Sequence, residues 1–145
     1  MAEVLFVEDT PGCQQAISVA LRGVKHAVTV VGDGTDALEY LNRTRPDLIL
    51  LDMVMPGIDG LELLRQIRAA ERWKTIPVIV FTASTKDEFR HEAEALGVQA
   101  YFIKAQASIR ELREAIAWYA TGTTAATMEG GELRIGRRAL MRMSF

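Results

Sequence analysis

Cysteine and histidine are nearly missing from this chain: Cys13, His26 and His91 are the only ones in 145 residues. One thiol closes no internal disulfide, and no Cys/His cluster is present for zinc, so a reducing compartment is expected. No apolar run approaches the ~20 residues of a membrane span. The start MAEVLFVEDT lacks the basic flank and apolar core of a secretory leader, so a soluble, cytoplasmic protein is expected. The formal net charge is only −2, which gives no electrostatic reason to expect a membrane or nucleic-acid partner. Absent too is any Asn-Gly or Asp-Gly hairpin between successive strand candidates.

What is present is ordinary globular material, 49% hydrophobic and 25% charged. That composition and length fit one domain with a short appendage. Glu3 to Val7 is a short apolar strand. Thr10 then stands at an N-cap with Pro11 in the first helical position. The helix carries Ala16, Ile17, Ala20 and Leu21 and ends near Gly23. Ala27 to Val31 is a second strand, and Thr35 to Arg43 a helix with Ala37, Leu38 and Leu41 inward. Asp47-Leu48-Ile49-Leu50-Leu51, bracketed by Pro46 and Pro56, is a strand buried on both faces. A helix from about Gly60 to Ala70 presents Leu61, Leu64, Ile67 and Arg68, with Trp73 at its end. Ile76 to Phe81 is a fourth strand. Lys86 to Leu96 is a charged helix on a thin stripe of Phe89, Ala93 and Leu96, stopped by Gly97. Ala100 to Ile103 is a fifth strand, and Ser108 caps a last helix with Ile109, Leu112, Ile116 and Tyr119 inward. Five alternations of strand and helix predict a doubly wound α/β domain with a parallel sheet.

Each polar residue of interest follows a strand: Glu8 and Asp9, then Asp52, Thr82 and Lys104. In a parallel sheet these ends lie on one edge, where ligands bind in open α/β folds. Acids crowded there raise one another's pKa, and a bound cation relieves that cost. An all-oxygen set suits Mg²⁺ rather than zinc. With such a cation bound, the Asp52 carboxylate could attack phosphorus and form an acyl phosphate. Lys104 and the Thr82 hydroxyl would then stabilise the phosphoryl oxygens.

These motifs resemble the receiver domain of two-component response regulators, with the flavodoxin-like fold of the chemotaxis response regulator. They are Val7-Glu8-Asp9, LLDMVMPGIDGLELLRQIR around Asp52, Phe81-Thr82-Ala83 and Tyr101-Phe102-Ile103-Lys104. The match runs from about Glu3 to Tyr119. It implies a five-stranded sheet of order 2-1-3-4-5 with five helices, in a receiver domain over residues 1–120. It implies that Asp52 is phosphorylated by a sensor histidine kinase or phosphotransfer protein. Asp9 and Asp52 become direct Mg²⁺ ligands, with Glu8 acting through water and the Val54 backbone carbonyl as a further ligand. Tyr101 becomes the aromatic that turns inward when Thr82 moves toward the phosphoryl group. The only catalysis implied is of its own phosphoryl transfer and dephosphorylation. Signalling would use the fourth helix, fifth strand and fifth helix, toward a target or a second copy.

Two positions depart from the pattern. Ala105 follows Lys104 where the family carries a cis proline. Either a trans bond with a reshaped loop or a cis bond costing ~3–4 kcal/mol is expected. Met53 and Val54 follow Asp52, and neither orients an attacking water, which leaves Ser84 as the candidate for that task.

The other signals have blander readings. Cys13 has no base near it in sequence and reads as a small helix residue. His26 and His91 read as surface, and Trp73 and Trp118 as partial core. Glu88, Glu92 and Glu94 with Lys86 and Arg90 read as a solvated helix face. Residues 121–145 read as a linker, Thr121 to Thr127, followed by an arm or β-hairpin turning at Gly136-Arg137. That arm is a second candidate dimer contact, and its arginines (Arg134, Arg137, Arg138, Arg142) read as a solvated edge rather than a nucleic-acid patch. Three other functions compete. One is the receiver part of a longer DNA-binding regulator, with Leu133 to Arg142 opening its output domain. Another is a receiver-like scaffold that is never phosphorylated. The third is an aspartate-nucleophile phosphatase, which Glu8-Asp9-Thr10 disfavours because it lacks the D-x-D pattern.

Overall fold

The structure is a computed structural model and describes residues 2–21, 26–121, 127–129, 132–135 and 138–142. Five strands, β1 (Ala2–Val7), β2 (His26–Val31), β3 (Leu48–Leu51), β4 (Val78–Thr82) and β5 (Ala100–Ile103), pair in parallel in the order β2-β1-β3-β4-β5. Between and after them run α1 (Pro11–Ala20), α2 (Gly34–Arg43), α3 (Gly60–Ala69), α4 (Asp87–Ala95) and α5 (Ile109–Thr121). β3 and β4 are buried along their whole length, as continuous apolar strands covered on both faces must be. The register sets Val7 beside Leu51, Leu51 beside Val80, and Thr82 beside Ile103. Glu8, Asp52 and Lys104 therefore leave the sheet at one edge, next to Thr82.

Local chemistry explains most boundaries. The Asp33 carboxylate accepts from Asp36 N–H and the Asp59 carboxylate from Glu62 N–H, both at 2.8 Å, and Ser108 Oγ accepts from Glu111 N–H at 3.1 Å. These are N-caps that satisfy first-turn donors. Thr10 does hold the N-cap position ahead of Pro11, but its hydroxyl makes no capping bond. The fourth strand begins at Val78 rather than Ile76. Pro77 has no N–H to give a ladder, and its carbonyl instead accepts from Ile49 N–H at 2.9 Å.

Three side-chain placements differ from expectation: Ile109, read as inward, Ala16, read on the apolar stripe of its helix, and His26, read as surface. Ile109 is 40% exposed, because it sits in the first turn of α5, ahead of the buried Leu112, Ala115 and Ile116. Ala16 is exposed; the inner stripe of α1 is Cys13, Ile17 and Leu21, spaced four apart. His26 is half-buried, with a buried Nδ1 that has no hydrogen-bond partner among the described residues, and burial pushes its pKa below 6.5. The first helix ends at Ala20 with Leu21 as its C-cap, short of the expected end near Gly23, a residue that itself lies outside the described ones.

The edge opposite the site is tied by polar side chains. Arg68 donates from Nε to Leu96 O at 2.7 Å, and through its guanidinium to the carbonyls of Lys74, Ile76 and Gly97 and to Gln99 Oε1. Trp73 Nε1–H donates to Leu41 O at 3.3 Å, and Arg45 bonds Arg72 O and Thr75 Oγ1.

After α5, β6 (Thr127–Glu129), β7 (Glu132–Ile135) and β8 (Arg138–Arg142) form a separate antiparallel sheet. β6 falls at the end of the expected linker and makes the arm three-stranded. The expected turn at Gly136-Arg137 lies outside the described residues. Among the described residues no helix is long and apolar enough to cross a membrane.

Candidate functional site

At the carboxyl edge of the sheet, one cleft is lined by Asp9, Thr10, Asp52, Val54, Ala83, Ser84 and Lys104. Glu8 lies beneath it, fully buried, and Thr82 is fully buried behind it. Oxygen atoms of Glu8, Asp9 and Asp52 all lie within 4.8 Å of one another. Three carboxylates this close, without a Cys or His among them, fit a hard cation held by oxygen.

Lys104 crosses the site. Its Nζ lies 2.7 Å from Glu8 Oε2 and 3.8 Å from Asp52 Oδ2. The other Glu8 oxygen, Oε1, accepts from Thr10 N–H at 3.2 Å. Asp52 Oδ1 accepts from Val54 N–H at 3.2 Å, while Thr82 Oγ1 accepts from Ser84 N–H at 3.2 Å. The turn after Asp52 is tight. Gly57 takes φ +74°, a left-handed conformation that favours glycine. Gly60 N–H donates to Met53 O at 3.1 Å.

Burial pushes the Asp52 carboxyl above its usual range, and the Glu8 charge adds to the rise; Val54 N–H, Lys104 and Thr82 oppose it. Lys104 moves upward. Burial, the largest single influence, lowers it, but the hydrogen bonds to Glu8 and Cys13 and the charges of Asp52 and Glu8 together outweigh that. Cys13 faces this pair from α1, and burial raises its thiol, which disfavours the nucleophilic thiolate.

The expected residues divide into those that meet and those that stand apart. Glu8, Asp9, Asp52, Thr82 and Lys104 come together, with Val54 and Ser84 on the cleft wall. Tyr101 does not line the cleft. It is 4% exposed on β5, with the Arg90 guanidinium 5.5 Å from its ring centroid. Its hydroxyl is buried without a hydrogen-bond partner among the described residues. His91 is exposed and plays no part. No cis peptide occurs among the described residues, so Lys104–Ala105 is trans.

Gly60 is a site-supporting residue that pattern reasoning passed over as a helix opener. A Cβ there would lie 1.9 Å from Asp52 O and 2.6 Å from Met53 Cα, so α3 approaches the backbone of Asp52 only through glycine. Asp59-Gly60, a cap followed by a glycine one turn after Asp52, was the available signal. Gln14 was also missed; its side-chain amide donates to Glu8 O from α1.

A family model for the response regulator receiver domain matches residues 4–117. The transcriptional regulatory protein BaeR of Escherichia coli O6:H1 is 39% identical over 101 residues, covering 70% of this chain and 41% of BaeR. The chain thus spans about two fifths of the length of that relative. Among solved structures, the phosphorylated cyanobacterial phytochrome response regulator RcpA is 32% identical with a TM-score of 0.73, over 85% of this chain and 96% of that one. The receiver domain of sensor histidine kinase PA1611 from Pseudomonas aeruginosa PAO1, solved with magnesium in its active-site cleft, is 34% identical with a TM-score of 0.74, over 84% and 98%. The sheet order, the cluster of acids at its carboxyl edge and this match over most of the chain lead to one conclusion: the chain belongs to the response regulator receiver domain family of two-component signalling.

Proposed function

We propose that Asp52 is the phosphoacceptor of this receiver. It takes a phosphoryl group from the phosphohistidine of a sensor histidine kinase or phosphotransfer protein in the cytoplasm. The observation that carries this is the convergence of Glu8, Asp9 and Asp52 with Lys104 and Thr82 on one cleft edge. Asp52 presents one oxygen bonded to Val54 N–H, which leaves the other to attack phosphorus. The new O–P bond forms as the P–N bond to histidine breaks, and the imidazole leaves with the electron pair. Lys104, 3.8 Å from Asp52, reaches the transferred oxygens, and the Thr82 hydroxyl donates to one of them.

Glu8, Asp9, Asp52 and the Val54 carbonyl would hold Mg²⁺, which supplies positive charge against the phosphoryl oxygens. Glu8, paired with Lys104, contributes from beneath. The receiver domain of PA1611, a relative by structure, holds magnesium in its own active-site cleft, and RcpA is a phosphorylated relative. The chain catalyses nothing beyond its own phosphorylation and dephosphorylation, with Ser84 the cleft residue available to orient water. Tyr101 on β5, beside α4, carries the change to the α4–β5–α5 face.

Incubation with acetyl phosphate and Mg²⁺, read by intact mass, tests this. Wild type gains one phosphoryl group and Asp52→Asn gains none. A wild type that stays unmodified, or a mutant modified equally, refutes the assignment.

A second reading has one supporting observation: BaeR is a transcriptional regulator more than twice as long as its matched segment. On that reading the chain is the receiver part of a DNA-binding regulator, and β6–β8 open its output domain. The reading of the native gene beyond Phe145 decides it.

A further inference from the structure

At the amino ends of β3 and β4, away from the cleft, two arginines are held in place side by side. Arg45, which follows α2, donates from Nη1 to Arg72 O and from Nη2 to Thr75 Oγ1 at 2.9 Å. The Arg72 guanidinium stacks over the Trp73 ring, 4.5 Å from its centroid, and donates to Asn42 Oδ1. Trp73 is itself buried and pinned, its Nε1–H on Leu41 O. Both arginines are exposed, and both are oriented by neutral groups. The arginines of the helices differ: Arg65, Arg90 and Arg110 each contact a carboxylate, at 2.6, 3.1 and 3.0 Å. Among the described residues Arg45 and Arg72 pair with none. The nearby acids are engaged elsewhere, Glu71 by Lys74 at 2.9 Å and Asp47 by Glu3 N–H at 2.7 Å. Carbonyl, amide and hydroxyl oxygens and an indole face fix a guanidinium without cancelling its charge. Each fork keeps N–H donors for a planar anion, which it can grip bidentately. Side chains ordered beforehand lose less freedom when that anion binds.

We propose that the Arg45–Arg72 pair docks an acidic segment of a partner protein, through its side-chain carboxylates, on the edge opposite the phosphorylation cleft. Nucleic acid fits this surface less well. Arg72 caps the Trp73 ring, which leaves no open face there for a base to stack on. The chain as a whole carries a net charge of −2, which disfavours an extended polyanion. A short acidic segment meets only the local positive charge. The dock stands at the other ends of the strands from Asp52, so it holds its partner whether or not Asp52 carries a phosphoryl group. This goes beyond phosphoryl transfer and does not depend on it.

A fluorescently labelled poly-glutamate peptide is the probe. It is titrated into the full, isotope-labelled chain and followed by anisotropy and by amide chemical shifts, with no phosphodonor present. The amides from Asn42 to Arg45 and from Arg72 to Thr75 should shift together. Arg45→Gln combined with Arg72→Gln should weaken binding about tenfold. Arg110→Gln, at a carboxylate-paired arginine on α5, should leave the affinity unchanged, and so should Asp52→Asn. Shifts confined to other residues, or undiminished affinity in the double variant, overturn the proposal. So does tighter binding of a single-stranded oligonucleotide of equal charge at the same amides, because the occupant would then be nucleic acid. If the double variant does not fold, the shift map of the unaltered chain alone decides.

Discussion

Lys104 is paired with Glu8, at 2.7 Å, rather than with Asp52 at 3.8 Å. Glu8 is fully buried and the lysine side chain only 21% exposed, so the ammonium is the counter-charge that faces this buried carboxyl group. Removing one partner of a buried pair strands the other. Lys104→Ala should cost roughly 2 kcal/mol without metal, the low end because the lysine keeps some contact with water. Added Mg²⁺ should restore much of that loss by binding the folded state. Urea unfolding of both proteins with and without Mg²⁺ measures it. A variant as stable as wild type without metal would show that the pair has no such role.

Asp52 gives the opposite sign. Burial and the Glu8 charge hold its carboxyl above 3.8, so the folded chain binds more protons than the unfolded one between pH 3.8 and that raised value. Metal-free stability therefore falls as pH rises through the window, and the penalty is fully present above it. Asp52→Asn lifts that penalty. The variant should exceed wild type by on the order of 1 kcal/mol near neutral pH without Mg²⁺, and the gap should close as pH drops toward 3.8. Thermal melts across pH read this directly; a variant less stable than wild type at every pH contradicts it.

Gly60 tests the backbone under the acceptor. A methyl there meets Asp52 O at 1.9 Å, and backbone cannot swing aside as a flexible side chain does. Gly60→Ala should lose about 2–3 kcal/mol, and acetyl phosphate should label what remains folded more slowly because Asp52 is displaced. Gly12→Ala is the control, since nothing lies within 4 Å of a Cβ there. Equal stability of the two variants would remove the claim.

Arg68 should tolerate no shortening. Its guanidinium serves four carbonyls and Gln99 Oε1 at once, a fork that a single ammonium cannot reproduce. Arg68→Ala should cost about 2 kcal/mol or more, and Arg68→Lys should recover less than half. Denaturation midpoints of the three proteins decide it, and a fully rescued lysine variant would reduce Arg68 to a charge.

The fold was legible where one constraint dominated. Leu48 to Leu51 and Val78 to Phe81 are apolar on both faces because both faces are covered, and no alternative period competes. Asp52, Asp9, Thr82 and Lys104 were legible because strand ends of a parallel sheet share an edge, whatever their distance along the chain. Errors arose where tertiary position outweighs type. Ile109 is apolar but sits on an exposed first turn; Ala16 is small enough to face either way; His26 is polar yet half-covered at the start of β2. The close approach at Gly60 and the bonds of Arg68 depend on how helices meet loops distant in sequence, which no local pattern records. β6 was hidden because Thr127-Met128-Glu129 is too short to show a period.

Arg68, Trp73 and Arg45 stitch together the loops at the amino edge of the sheet, through bonds that reach across α2, α3, α4 and β5. The carboxyl edge has a small pocket of competing charges instead. Hydrogen bonds across the far edge tie its loops together, while the neighbours of Asp52 on its own edge are the strand ends that carry Thr82 and Lys104.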